Sequence, residues 1–113
     1  MDLNTEIMGD LLIVQVRETR IDAAMAIHFK DRMRELTDNA MPRVLLDLSK
    51  VAFLDSSGLG AVVAVMKHLN PNRHLELSGL TPAVEKVFRL TRMDSVFTIH
   101  KSVPVQTGRA QAM

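Results

Sequence analysis

The segment LLDLSKVAFLDSSGLG (residues 45–60) passes from a strand pattern through a short turn into a helix pattern. Its aliphatic start is typical of a strand covered on both faces, and apolar residues recur at helical spacing from Ser57 to Leu69. Two hydroxyls, those of Ser56 and Ser57, stand where that helix begins. The N–H groups of a first helical turn lack partners within the helix and favour a capping side chain or an oxygen anion. The Asp-Ser-Ser-Gly turn therefore indicates either a helix cap or a phosphate acceptor.

The rest of the chain shows the same two periodicities. Runs of β-branched and aliphatic residues predict strands, and apolar residues at three- and four-residue steps predict helices. Asp22 is placed to cap the first helix, and Thr81 followed by Pro82 and Glu85 predicts a well-formed cap for the third. The predicted strands cover residues 3–8, 11–16, 43–48, 74–78 and 96–99, and the predicted helices cover residues 23–36, 57–69 and 81–90.

The order of these elements predicts an α/β fold. The first two strands form a hairpin, and each later helix is the crossover that parallel strands require. We therefore expect a mixed, mostly parallel sheet of four to five strands with helices mainly on one face. Ligands and modified groups of such sheets gather beyond the carboxyl ends of the strands. Asp22 and the segment from Asp55 to Gly58 both fall on connections of that kind.

Composition argues against several classes of protein. The 113 residues fit one domain, which we expect to span residues 1–103 and to be followed by a frayed tail over 104–113. No apolar run approaches the roughly 20 residues of a membrane-spanning helix, and the acidic N-terminus is unlike a secretory signal, which favours a cytoplasmic location. A formal net charge of +1, with no Trp or Tyr, argues against direct nucleic-acid binding. The absence of cysteine argues against disulfides and thiolate metal sites.

Three motifs resemble the STAS domain family, and in particular the bacterial anti-sigma factor antagonists. They are the run RIDA (residues 20–23) before the first helix, residues 46–60 with their Asp-Ser-Ser-Gly-Leu-Gly block, and the run LTPAV (residues 80–84). The block is the most specific of the three, and the resemblance extends from about Leu11 to Ser102. Two positions depart from the family pattern. No glycine shortly precedes Arg20, and Arg92 stands where the family commonly has glycine.

The resemblance implies a phosphorylation-controlled protein-binding module with the STAS fold. In this family the serine directly after the aspartate accepts a phosphate from a serine kinase that acts as an anti-sigma factor, which implies Ser56 as the phosphoacceptor. Binding of the kinase frees a sigma factor, and a phosphatase that dephosphorylates Ser56 resets the domain. No cofactor, metal or catalytic residue is implied. The residues implied to support the site or to contact the partner are Asp22, Asp55, Ser57, Gly58, Leu59 and Gly60.

The residues themselves leave several roles open. Ser57 is favoured as a helix cap, Asp22 suits an N-cap and a partner contact equally, and Asp55 is more typical of a turn residue than of a base. Gly58 and Gly60 suit either a close approach by another surface or the packing of a helix against the sheet. The four histidines lack the spacing of metal ligands, which favours a surface or rim position for each.

Two other functions compete with this interpretation. A STAS subunit of a membrane transporter or lipid-transfer complex would not need a modified serine. A hydrolase using Ser56 or Ser57 is disfavoured, because no histidine lies near them in sequence and the turn is not a Gly-x-Ser-x-Gly elbow. We therefore expect a regulatory binding protein and not an enzyme. Whether the domain forms a weak homodimer stays open.

Overall fold

The structure is a computed structural model that describes residues 1–38 and 41–103. Five of its strands form one sheet in the spatial order first, second, fourth, sixth and seventh. The first two are antiparallel, and the other neighbours are parallel. This arrangement confirms the predicted hairpin and the mixed, mostly parallel sheet. In chain order the strands are β1 (Leu3–Met8), β2 (Leu11–Val16), β3 (Arg20–Ile21), β4 (Arg43–Asp47), β5 (Phe53–Leu54), β6 (His74–Ser78) and β7 (Thr98–His100).

Three helices pack on one face of this sheet, as predicted. Their shared core includes Phe29, Val62 and Phe88, one from each helix and all fully buried. The opposite face has a much smaller apolar cluster, which contains no helical residue. The helices are α1 (Ala23–Leu36), α2 (Ser56–Leu69) and α3 (Pro82–Leu90), so that α2 begins one residue earlier than its periodicity predicts.

The two shortest strands, β3 and β5, form a separate parallel pair that the sequence patterns did not predict. Arg20 lies opposite Phe53, and Ile21 lies opposite Leu54. The pair is extended by the carbonyl of Thr19, which accepts hydrogen bonds from two successive N–H groups before and within β5. Since β3 leads into α1 and β5 leads into α2, this pairing sets the two helix N-termini side by side.

The predicted last strand over residues 96–99 is wrong by two residues. The strand is Thr98–His100, and a short 3-10 helix, Met93–Ser95, precedes it. The N–H groups of Val96 and Phe97 bond to the carbonyl of Met93, so both residues belong to a turn. The turn brings the buried Phe97 ring edge-on to Phe88, with 5.7 Å between the ring centroids. Packing of this aromatic pair therefore outweighs the strand propensity of the two residues.

The predicted start of α3 at Thr81 and Pro82 is confirmed, but the predicted side-chain cap does not form. Thr81 is the N-cap residue, but its side chain makes no capping hydrogen bond. Its hydroxyl instead donates to the carbonyl of Val51 at 2.7 Å, and Glu85 pairs with Arg89 one turn further on. The hydroxyl therefore ties the start of α3 to the segment that leads into β5.

The two departures from the family pattern differ in their consequences. Arg92 has φ +61°, in the left-handed region that glycine adopts without strain, so a glycine there would be the unstrained residue. No residue between Val16 and Arg20 has a positive φ. The loop before β3 therefore has no backbone need for glycine.

The predicted frayed tail over residues 104–113 lies outside the described residues. Within residues 1–38 and 41–103, no helix has both the length and the apolar character required to cross a membrane.

The helix-free face of the sheet contains a charged network around Glu76 on β6. Arg43 donates from Nε to Oε2 at 2.8 Å and from Nη2 to Oε1 at 3.0 Å, and His100 Nε2 lies 2.7 Å from Oε1. The Arg43 guanidinium is the main reason that the pKa of Glu76 falls from its ordinary 4.5 to about 2, and His100 acts in the same direction against the effect of burial. The network thus joins β4, β6 and β7 through one carboxylate.

Acid is expected to remove the stabilisation that Glu76 provides. Because the pKa of Glu76 is lower in the folded state, its contribution is present above about pH 4.5 and is lost as the pH falls towards 2. The full pKa difference corresponds to up to about 3 kcal/mol. Urea unfolding at several pH values between 2 and 7 would measure it, with Glu76→Gln as the control. A Glu76→Gln variant whose stability falls in this range as steeply as that of the unaltered chain would contradict the assignment.

Candidate functional site

The candidate site lies where β3 and β5 end. The parallel register that pairs Ile21 with Leu54 places the next residues, Asp22 and Asp55, beside each other at the starts of α1 and α2. Asp55 Oδ2 accepts a hydrogen bond from the N–H of Ala23 at 3.2 Å, which joins the two segments directly. The structure therefore brings together residues that lie 33 positions apart in sequence, the difference between 22 and 55.

Asp55 is the N-cap of α2, and it also serves α1. Its Oδ1 accepts from the N–H of Gly58 at 2.8 Å, while its Oδ2 accepts from Ala23. Both contacts satisfy N–H groups of a first helical turn. The expectation that Ser57 caps this helix is wrong, because the helix starts at Ser56 and the preceding carboxylate already occupies the capping position.

Asp22 is the N-cap of α1, as predicted, and it is held from two sides. Its Oδ1 accepts from the N–H of Ala24 at 3.1 Å, and its Oδ2 accepts from Arg20 Nε at 3.1 Å. The hydrogen bond from Arg20 is the main cause that lowers the pKa of Asp22, and the backbone N–H groups act in the same direction. Asp22 is therefore a carboxylate at neutral pH, with part of its charge balanced by Arg20.

Ser56 and Ser57 are the first two residues of α2, and both are exposed. Within the described part of the chain, neither hydroxyl takes part in a hydrogen bond. Their backbone N–H groups belong to the turn whose positive end favours an anion. A hydroxyl in this position is accessible from solvent, at a helix N-terminus and directly after the Asp55 carboxylate.

Gly58, Leu59 and Gly60 continue the first turn and differ in their surroundings. A Cβ on Gly58 would overlap the carbonyl oxygen of Ile21 and would approach Leu54 Cδ1 to 2.8 Å, so this glycine allows α2 to pack against β3. A Cβ on Gly60 would meet nothing within 4 Å. Leu59 is half-buried against the core. Of the two explanations left open, helix packing therefore applies to Gly58 and has no support at Gly60.

An arginine stacked on an aromatic ring borders the site, and sequence analysis did not single it out. The Arg20 guanidinium carbon lies 4.5 Å from the centre of the Phe53 ring, and the Phe53 side chain remains exposed. The i, i+2 spacing of Arg20 and Asp22 on an extended segment is a signal that could have suggested their contact. The exposed ring gives the site an apolar border with a positive charge above it.

Metal binding has little support among the residues that the structure describes. They include no group of three or more His, Asp or Glu side chains arranged to hold a metal ion. Of their four histidines, the three at positions 28, 68 and 74 are exposed, and His100 pairs with Glu76. The surface and rim positions expected for the histidines are thus confirmed.

Comparisons with known proteins agree with this architecture. The family model of the STAS domain matches residues 2–105 of this chain. BtrV of Bordetella bronchiseptica, named as an anti-sigma factor antagonist, is 28% identical over 94 residues, which are 82% of this chain and 81% of BtrV. An anti-sigma factor antagonist from Mycobacterium paratuberculosis superposes with a TM-score of 0.79 at 23% identity and covers 98% of this chain and 92% of its own.

The fold is shared more widely at lower identity. The phosphorylated form of SpoIIAA from Bacillus has a TM-score of 0.62 at 16% identity and covers 98% of this chain and 97% of its own. Parts of anion-transporter proteins also have this fold, and such likenesses indicate architecture alone. Because the family match spans nearly the entire sequence, the chain belongs to the STAS domain family, and its relatives include bacterial anti-sigma factor antagonists.

Proposed function

We propose that this domain is an anti-sigma factor antagonist controlled by phosphorylation of Ser56. In its unmodified form it binds a serine kinase that is also an anti-sigma factor, and the bound kinase releases its sigma factor. Phosphorylation of Ser56 by the kinase ends the complex, and a phosphatase restores the unmodified serine. In this scheme the domain is a substrate and a binding protein, and it acts in the cytoplasm without contacting nucleic acid.

The observation that carries the proposal is the position of Ser56. It is exposed at the start of α2, its hydroxyl makes no hydrogen bond within the described residues, and the capping position is filled by Asp55. A serine that capped the helix would be needed for stability, and modification would disturb the fold. Here the hydroxyl has no structural task, so a kinase can modify it without unfolding the domain.

The surroundings of Ser56 support recognition by a protein partner. Phe53 exposes 42% of its surface, although large aromatic side chains usually lie inside a domain. Phe53 and Gly60 lie three residues before and four residues after Ser56, and Arg20 stacks on the Phe53 ring. Aromatic and arginine side chains are enriched in protein interfaces. A kinase that covers this surface would bury the serine hydroxyl in the contact.

Phosphorylation can be tested with the anti-sigma factor kinase of the same organism. The purified chain is incubated with that kinase and ATP, and the modified peptide is mapped by mass spectrometry. We expect a single phosphate on Ser56 and the same product from Ser57→Ala, which removes the neighbouring exposed hydroxyl. Phosphate on Ser57 or at another residue, or no modification of the unaltered chain, would contradict the assignment.

A transporter or lipid-transfer role makes a different prediction. Such a subunit would associate with membrane ATPase subunits, and replacement of Ser56 would leave that association unchanged. Co-purification from whole-cell lysate with detergent-solubilised membranes, with the unaltered chain and with Ser56→Asp, therefore separates the two functions. Loss of the partner with Ser56→Asp alone supports the antagonist.

A further inference from the structure

A recess lies between α1 and α2, away from the serine end of the helices. It has a volume of about 30 Å³ and a floor formed by Ala64 and Val65. Its rim consists of Lys30 and Arg34 from α1 and His68 from α2. The rim is thus built from basic side chains on both helices, around an apolar floor.

The two charged side chains on this rim, Lys30 and Arg34, form no ion pair in the described part of the chain. None of the ion pairs formed there includes Lys30, Arg34 or His68. The acids closest in sequence are Asp31 and Glu35, and neither forms an ion pair with a rim residue. Glu35 is moreover paired with Arg32 at 3.1 Å. The rim therefore presents uncompensated positive charge, which is complementary to an acidic group.

The recess lies between the same two helices whose starts form the candidate site. Both helices begin at the joined pair of Asp22 and Asp55, and they pack along each other. His68 follows Ser56 by twelve residues, the difference between 56 and 68, so it lies about 18 Å further along α2. A standard interface buries about 800 Å² on each partner, which corresponds to a patch roughly 30 Å across. One protein can therefore cover both features.

The size of the recess restricts its occupant. The recess has a volume of about 30 Å³, and one buried water needs about 10–15 Å³. The recess therefore admits a group of about two or three heavy atoms. Pockets for drug-sized ligands and cofactors measure about 300–1,000 Å³, far more than is available here. The exposed Ile27, three residues before Lys30 and 65% exposed, extends the same edge of α1 with apolar surface. A carboxylate on a protein side chain, flanked by apolar residues, fits these dimensions.

We propose that the recess between α1 and α2 receives an acidic side chain of the anti-sigma factor that binds at Ser56. This inference rests on the proposed function, since it assigns a second contact to the same partner. The partner segment carries Asp or Glu opposite the basic rim and apolar residues opposite Ile27. The recess adds affinity and selects among kinases by charge, while Ser56 controls release.

Charge reversal on the rim tests the inference. We expect the double variant Lys30→Glu and Arg34→Glu to bind the purified anti-sigma factor at least about 10-fold more weakly, with a shallower dependence of affinity on salt. The matched control is Lys86→Glu with Lys101→Glu, which makes the same change in net charge at exposed positions away from the recess. We expect less than about a 2-fold change for this control. Titration calorimetry measures both, and circular dichroism confirms that each variant is folded.

The outcomes separate this inference from the proposed function. Equal affinity of the rim variant and the unaltered chain overturns the recess contact alone, provided that phosphorylation of Ser56 still abolishes binding. If the unaltered chain does not bind the anti-sigma factor, the proposed function fails as well. Sedimentation tests for a second copy of the chain in the recess. If the unaltered chain self-associates and the rim variant does not, the recess binds another copy, and the inference is overturned. Loss of inorganic phosphate binding in the rim variant without loss of partner binding would also overturn it.

Discussion

Phosphorylated on Ser56, the domain is expected to bind its anti-sigma factor at least about 100-fold more weakly than the unmodified domain does. A loss of this size requires about 2.7 kcal/mol. Phosphate adds about 1.5 to 2 negative charges to a hydroxyl that is neutral and exposed in the structure. At an effective dielectric constant near 20, a like charge about 5 Å away costs roughly 3 kcal/mol per unit pair before screening by salt.

Charges of the domain itself determine whether a phosphate on Ser56 is attracted or repelled there. Asp55 lies one residue before Ser56, and its oxygens are already used by two N–H groups. Asp22 is ionised but paired with Arg20, so its repulsion of a phosphate is reduced. The helix N-terminus favours an anion by a few tenths to about 1 kcal/mol. Because these effects oppose each other, we expect the modified domain to stay folded. Repulsion between the phosphate and acids of the partner would then destabilise the complex and not the domain.

Variants of Ser56 and Ser57 test whether the charge at Ser56 controls the affinity for the anti-sigma factor. Ser56→Ala is expected to retain the affinity of the unmodified chain and to resist regulation by the kinase. Ser56→Asp is expected to weaken binding only in part, since one carboxylate carries less charge than phosphate. Ser57→Ala is the matched control, because Ser57 is also exposed and its hydroxyl makes no hydrogen bond within the described residues. We expect its regulation by the kinase to be unchanged, because Ser56 keeps the phosphoacceptor hydroxyl.

Two results would contradict an electrostatic switch at this residue. One is equal affinity of the Ser56→Ala and Ser56→Asp variants, measured at low salt where repulsion is largest. The other is a large fall in the melting temperature of the phosphorylated domain, which would mean that modification acts by unfolding. Thermal melts of both forms distinguish release by repulsion from loss of structure.

The first four strands of the main sheet (β1, β2, β4 and β6) and the three helices could be predicted because their patterns extend over five or more residues. The strands β3 and β5 could not, since two residues carry no periodicity. The last strand was misplaced because Val96 and Phe97 have strand propensity, while the contact of Phe97 with Phe88 holds them in a turn. A contact between distant segments is invisible to local patterns.

The site shows the same division between local and distant information. The sequence identified the turn from Asp55 to Gly60 and the acid at position 22, but it did not assign the cap among three adjacent residues that all make good caps. The hydrogen bond from the Gly58 N–H to Asp55 Oδ1 settles that assignment. The second contact of Asp55, with the N–H of Ala23, depends on the pairing of β3 with β5. Arg20 and Phe53 gain their positions from the same pairing. The contacts of the site that sequence patterns did not predict therefore depend on the pairing of β3 with β5.

The same alanine substitution is expected to have opposite effects at two glycines of α2. Gly58→Ala should destabilise the domain by at least about 3 kcal/mol, at the upper end for overpacked sites, because the new methyl group would overlap a backbone carbonyl. That carbonyl belongs to Ile21 in β3 and has no side-chain rotamer to change. Gly60→Ala should stabilise the domain by up to about 1 kcal/mol, since it replaces an exposed helical glycine with open space around it.

Relief of the clash at Gly58 would have to separate α2 from β3, and that movement connects this glycine to function. The Asp55 carboxylate would be drawn away from the N–H of Ala23. The starts of α1 and α2, which border Ser56, would then no longer be held in a fixed relative position. Urea unfolding of both variants measures the stabilities, and a loss of less than about 1 kcal/mol for Gly58→Ala would show that the close packing is not required. A Gly60→Ala variant that is more stable yet binds the anti-sigma factor less tightly would place Gly60 within the partner's contact, since its Cβ meets nothing within the domain itself.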